Sequence, residues 1–375
     1  MTARRAEARI DLAAIRHNAE TLSQTAGRAA LMAVVKADGY GHGAVPSARA
    51  AVEGGADWLG VATAVEAEEL RAAGLDRPIL VMGPMIGDEL RRAVAAGADI
   101  AVWTPAALPA LAAAAEATGM PARAHLKLDT GMGRLGARPE DVAALAGAAS
   151  ALAGRVEVVG LMTHFATADE RGGENAGFMR EQLVRFRAQV AQLRTRFPTA
   201  IAHAANSAAT LRAPADAAFD LVRCGIALYG CSPFGDDPAE HGLRPAMSLV
   251  SYLASVKTIR SRDSVGYGRT YRAARGTRIG VVPVGYGDGY ARHLSNRADA
   301  LVGGRRVPVV GTISMDQLTI DLGPEGTEEV GEEVVLIGAQ GRERISAERM
   351  AEWRGTISYE VTCAVGARIP RVHTG

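Results

Sequence analysis

Short apolar runs recur along the first part of the chain, at residues 31–35, 58–62, 78–82, 99–103, 123–129, 157–164, 201–206 and 219–223. Runs of this length, bounded by turn residues, read as strands buried on both faces. Alanine-rich, helix-favouring segments such as 64–73 and 106–117 separate them. Eight strands alternating with helices, on a scale of ~250 residues, predict a (β/α)8 TIM-type barrel rather than an open sheet. Ahead of the first run, Leu12, Ile15, Ala19 and Leu22 fall at helical spacing, with Asp11 as the N-cap.

The pattern changes after Pro233. Residues 233–245 are rich in Gly, Pro and Asp and read as a linker. Beyond it, short alternating or apolar runs at 248–258, 278–284, 306–313, 317–322 and 333–337 predict strands, with Gly303 and Gly304 as a hairpin turn. The expected organisation is an α/β chain: a barrel over 1–240, then a mostly β domain over 241–375.

Composition adds exclusions. A length of 375 residues suits two domains, at roughly 150 residues each. The 48% hydrophobic and 22% charged content is that of an ordinary soluble protein. A formal net charge of +1 gives no general attraction to nucleic acid or anionic membranes. No apolar run approaches the ~20 residues of a membrane span. The first dozen residues lack the apolar core of a secretory signal. Cys224, Cys231 and Cys363 are few, odd in number and scattered, which favours a reducing compartment. The cytoplasm is the expected location, with no metal.

Candidate chemistry begins where the first run stops. Leu31 to Val35 end at Lys36, followed by Tyr40 and His42 among Gly39, Gly41 and Gly43. In a parallel α/β fold the C-terminal ends of strands carry chemistry. A lysine desolvated there favours its neutral amine, which imine formation with an aldehyde requires. The same pattern also suits a lysine capping a strand at the surface. His125, Lys127 and Asp129 alternate with Leu126 and Leu128, so all three face one side of a strand, where inward charges need partners.

The segment AVVKADGYGHG closely resembles the pyridoxal-phosphate lysine motif of the alanine racemases, usually AVVKANAYGHG; here Asp38 and Gly39 stand for Asn and Ala. HLKLDTGMGRLG, MTHFA, SVGYGRTY, GYGDGYAR and GTISMDQ resemble further motifs of that family in the same order. The resemblance implies pyridoxal 5'-phosphate as cofactor, Lys36 as its anchor and one catalytic base, and Tyr267 as the other. It implies cofactor contacts from Tyr40, Arg134, His164, Ser207, Arg223, Gly225, Ile226 and Tyr359. It assigns Arg134, Tyr286, Met315 and Asp316 to the substrate, with Tyr286 narrowing the pocket, and makes Lys127 a site of possible carbamylation. A phosphate site from loops after the last two barrel strands agrees with a general property of the fold. Arg223 would contact the pyridine nitrogen without giving up a proton, which leaves the ring a weaker electron sink and favours proton exchange at Cα.

The implied enzyme interconverts L- and D-alanine, supplies D-alanine for peptidoglycan, and is a homodimer with shared sites. A decarboxylase on the same barrel would need a protonated pyridine nitrogen and a catalytic cysteine motif; Arg223 and the isolated Cys363 argue against it. A non-catalytic cofactor carrier would lack the β domain that holds Tyr267 and Met315. A racemase of broader specificity stays open, since only Tyr286 argues for a small side chain.

Overall fold

A computed structural model describes residues 4–172 and 174–375. Its first strand, β1 (Ala6–Asp11), is followed by a helix over Leu12–Ala26, where Asp11 Oδ1 accepts the Ala14 N–H at 3.0 Å, the expected cap. The apolar runs then form a ring of eight parallel strands: β2 (Ala30–Val34), β3 (Trp58–Val61), β4 (Ile79–Val81), β5 (Asp99–Val102), β6 (Ala122–Lys127), β7 (Val156–Met162), β8 (Ile201–His203) and β9 (Leu221–Cys224). Neighbours in sequence are neighbours in the sheet, and β9 returns to pair with β2. The seam between β8 and β9 has no ladder. Two backbone hydrogen bonds cross it, Asp220 N to Ala202 O at 3.0 Å and Arg223 N to Ala205 O at 2.9 Å, and side-chain bonds join them. These strands are buried almost throughout, as strands covered on both faces must be.

The remaining strands are β10 (Met247–Tyr252), β11 (Ser255–Ile259), β12 (Ser264–Val265), β13 (Tyr271–Arg272), β14 (Thr277–Val282), β15 (Asp299–Val302), β16 (Arg305–Pro308), β17 (Leu318–Gly323), β18 (Glu333–Gln340), β19 (Glu343–Ile345) and β20 (Arg371–Thr374). Gly303 and Gly304, at φ 59° and 75°, make the β15–β16 hairpin turn. The largest sheet here runs β16-β15-β18-β10-β1-β20, with β19 on β18. Strand β1 lies antiparallel to β10 and parallel to β20.

Two units result. One takes residues up to Ala14 with Tyr229–Pro238 and Arg244–Gly375; the other takes Ile15–Leu228 with Ala239–Leu243. A single cut near residue 240 makes no provision for β1, which belongs to the β unit. Among the described residues no helix is long and apolar enough to cross a membrane.

Candidate active site

Lys36 lies just past the C-terminal end of β2 and opens a turn, Lys36–Tyr40, of unusual hand. Ala37, Asp38, Gly39 and Tyr40 have φ of 52°, 52°, 60° and 53°. Left-handed backbone costs an L-residue roughly 1–2 kcal/mol, so the surroundings must impose it. They do so with hydrogen bonds from Gly39 N to Val35 O (2.9 Å) and Gly43 N to Asp38 O (2.8 Å), and from Ala37 N to Glu66 Oε1 (2.7 Å). Asp38 Oδ1 accepts the Ala44 N–H at 2.9 Å, so the departure from Asn at this position leaves a side-chain oxygen as acceptor.

Lys127 ends β6, 5% exposed, with its Nζ 6.0 Å from the Trp103 ring centroid. Burial, then Arg223, Arg134 and Lys36, push its ammonium down to about 8, with Asp129 opposing. Asp129 lies beyond the strand rather than facing inward with Lys127: its carboxylate accepts the N–H groups of Gly131 (2.9 Å) and Gly133 (3.2 Å) and shapes the turn before Arg134. His164 is held down to about 3 by burial and by Arg223, Arg134, Lys127 and Lys36. Four cations therefore act on one imidazole.

Arg223, on β9 and 4% exposed, is pushed down to about 10 by burial and stays charged at neutral pH. Its Nη2 donates to Thr163 O (2.8 Å), Ala204 O (3.0 Å) and His164 Nδ1 (3.3 Å), and its Nη1 to His203 Nδ1 (3.0 Å). Its Nε–H donates to none of the described residues. Past β8, Ser207 Oγ accepts the N–H groups of Gly225 (3.0 Å) and Ala227 (3.3 Å). Ala227, not singled out in the sequence, joins Gly225 there, and Ile226 opens the short turn Ile226–Tyr229. A Cβ at Gly225 would lie 2.3 Å from Tyr40 Oη, so only glycine leaves that notch open.

The β unit gathers a second group. Tyr267 sits in the turn Tyr267–Arg269, where Thr312 Oγ1 donates to Tyr267 O at 2.8 Å. Tyr286 N donates to Ser314 O (3.1 Å) and Gly287 N to Met315 O (2.8 Å), which brings Tyr286, Met315 and Asp316 to one loop cluster. Arg368 Nη2 holds Asp316 Oδ1 at 2.7 Å. Asp288, 2% exposed, is a buried anion clamped by Arg5 and Arg368. Tyr267, Met315 and Tyr286 are 73%, 53% and 43% exposed in the single chain. Tyr359 lies in the short helix Ser358–Cys363 of the same unit. Asp99, Gly160 and His203 did not stand out in the sequence; each lies inside or at the edge of an apolar run and reads there as strand.

Residues 10–233 match the family model for the alanine racemase N-terminal domain, and 246–373 that for the C-terminal domain. An alanine racemase of Symbiobacterium thermophilum is 44% identical over 98% of this chain and 97% of its own length. The crystal structure of alanine racemase from D-cycloserine-producing Streptomyces lavendulae matches with TM-score 0.95 and 44% identity, covering 100% of this chain and 98% of that one. That of Bartonella henselae, described with covalently bound pyridoxal phosphate, matches with TM-score 0.87 and 27% identity over 98% and 99%.

Proposed function

The chain belongs to the alanine racemase family, and we propose that its barrel residues, with the loop cluster of a second subunit's β unit, interconvert L- and D-alanine. The observation that carries this reading is the cluster of Lys36, Arg134 and Arg223 acting on the single His164 imidazole. Such a concentration of cations fits a ligand bearing both a phosphate and a carboxylate.

The residues fit pyridoxal phosphate, the cofactor of this family. Gly225 leaves open the notch beside Tyr40, and Ser207 with the Gly225, Ile226 and Ala227 N–H groups suits a phosphate. The uncommitted Nε–H of buried Arg223 suits the pyridine nitrogen. When bound, the cofactor withdraws electrons from the amino acid's Cα, so that the C–H bond there is weakened. Lys36 removes or returns that proton on one face of Cα, and Tyr267 does so on the other. Two faces are needed because one base returning its own proton would regenerate the starting enantiomer. Arg223 keeps its proton, so it holds the ring nitrogen without protonating it. Arg134, Met315 and Asp316 bind the substrate end, Tyr286 limits side-chain size, and His164, Tyr40 and Tyr359 contact the cofactor. Tyr267, largely exposed in one chain, serves the barrel of a second subunit.

A panel of L-amino acids followed by chiral chromatography tests the substrate. Alanine is expected to turn over fastest; equal rates on larger side chains favour a broad-specificity racemase instead.

Gly225→Ala is expected to weaken cofactor retention on the order of tenfold or more, since its Cβ would fall 2.3 Å from Tyr40 Oη. The absorbance left after dialysis reads this directly. Retention equal to the parent would remove Gly225 from the phosphate notch.

Lys127 is expected to carry a carbamate. Carbon dioxide adds only to a neutral amine, and a pKa of about 8 supplies one near neutrality where an ordinary lysine does not. With 13C-bicarbonate, a carbamate resonance should grow as pH rises through about 8 and be absent in Lys127→Ala. An unmodified Lys127 across that range excludes it.

A further inference from the structure

Across the barrel interior runs an unbroken file of polar side chains that the reaction above does not use. Arg223 Nη1 meets His203 Nδ1 at 3.0 Å, His203 Nε2 meets His125 Nδ1 at 2.8 Å, and His125 Nε2 meets Asp99 Oδ2 at 3.1 Å. The four residues come from β9, β8, β6 and β5, and none is more than 4% exposed. Barrel interiors are ordinarily filled by layers of branched apolar side chains, and burying polar groups is costly unless each is paired. Here each is.

The direction of the file is fixed from both ends. Arginine only donates, so His203 Nδ1 must be a bare acceptor. Burial, Arg223 and His125 hold His203 well below its ordinary pKa, so it is neutral and carries its one proton on Nε2. That proton is donated to His125 Nδ1, which leaves the His125 proton on Nε2, facing the carboxylate of Asp99. Asp99 is anchored in turn by Arg123 Nε at 2.7 Å. The charged groups around the file are Arg123 and Arg71 at the Asp99 end and Lys36, Lys127 and Arg134 at the Arg223 end.

The neighbouring strand makes room for it. A Cβ at Gly160 on β7 would stand 2.1 Å from His125 Nδ1, and the β6–β7 register shifts between Ala124 and His125. Edge-on contacts of the His125 ring with Trp58 and His203, at centroid distances of 5.7 and 5.0 Å, complete its cage.

We infer that Asp99, His125 and His203 are positioning residues for Arg223, a one-way hydrogen-bonded file that sets which donor the guanidinium presents to the cofactor's ring nitrogen. The file fixes the guanidinium plane through Nη1, while Thr163 O and Ala204 O hold Nη2. Nε is then the one guanidinium nitrogen with no partner among the described residues, its N–H and the second hydrogen of Nη1 being the donors that remain. This inference rests on the role of Arg223 proposed above.

Nitrogen-15 NMR of histidine-labelled holoenzyme reads the tautomers. His125 and His203 should both be protonated at Nε2 only, and His203, held neutral by burial and Arg223, should not titrate between about pH 6 and 9, where an ordinary histidine completes its titration. A proton on Nδ1 of either, or a titrating His203 signal, overturns the file. Asp99→Asn removes the charge but keeps an acceptor oxygen, and Gly160→Ala pushes the His125 ring from its seat. Each, folded and loaded with cofactor, should slow racemisation about tenfold, the size typical of partners one shell out from a reacting group. Each should also convert several times more alanine to pyruvate per racemisation event, the amino group passing to the cofactor, which is left in its pyridoxamine form, and water supplying the ketone oxygen; a merely structural loss would not cause this. Arg223→Lys is the control. If it raises the pyruvate ratio and neither other variant does, the file is wrong and the Arg223 reading stands. If Arg223→Lys leaves the ratio unchanged, the ring-nitrogen reading fails and takes the file with it.

Discussion

Lys36→Ala is expected to lower racemisation on the order of 10³-fold or more, because a positioned base contributes roughly 10²–10⁴-fold by itself and the covalent anchor is lost as well. The tether can be mapped independently of activity. Borohydride reduction of the yellow holoenzyme should fix a pyridoxyl group on one peptide, the one containing Lys36. The sequence makes the assignment clean: among its 42 basic residues only Lys36, Lys127 and Lys257 are lysines. Lys257 is exposed on β11 in the β unit, so it serves as an internal control. Lys127 is the competitor, since its depressed pKa of about 8 also supplies a nucleophilic amine. A pyridoxyl group on Lys127 would reverse the two lysines' roles.

Local pattern sufficed for the barrel because each buried parallel strand announces itself as an apolar run, and neighbours in sequence are neighbours in the ring. It missed β1, whose partners are β10 and β20. Such pairing across most of the chain leaves no trace in a short window, and the segment reads as the approach to a helix. Lys36 was legible because it interrupts an apolar run at the end where the fold carries chemistry. The hand of the turn after it was not. Glycines hint at positive φ, but the turn through Ala37, Asp38 and Tyr40 is held by bonds from Ala37 N to Glu66, Gly39 N to Val35 O and Gly43 N to Asp38 O, which no local pattern shows. Asp99 and His203 were hidden for a related reason. Asp99 opens its apolar run and His203 sits inside one, where a strand boundary or a core histidine explains each equally well. Only their meeting with His125 from three different strands sets them apart.

Mixing two inactive variants is expected to restore activity, and the amount can be stated beforehand. Lys36 belongs to the barrel unit and Tyr267 to the β unit, and the proposed two-base reaction requires both to reach one Cα from opposite faces. Tyr267, Met315 and Tyr286 form a loop cluster largely exposed in a single chain. If that cluster serves a second subunit, two-fold symmetry makes the exchange reciprocal, with two equivalent sites per dimer. Lys36→Ala subunits lack one base and Tyr267→Phe subunits the other. In a mixed dimer one site joins both defects. The other site pairs the intact Lys36 of the Tyr267→Phe subunit with the intact Tyr267 of its partner. After random exchange of equal amounts about half of the dimers are mixed, each with one good site in two, so about one quarter of the unsubstituted enzyme's activity should return. Chiral chromatography of D-alanine before and after exchange measures it, with mass spectrometry of the intact dimers to count the mixed species. Tyr267→Phe removes only a hydroxyl from an exposed side chain, so loss of folding is not expected to confuse the result. Mixed dimers as inactive as either parent would place both bases of each site in one chain and end the shared-site proposal.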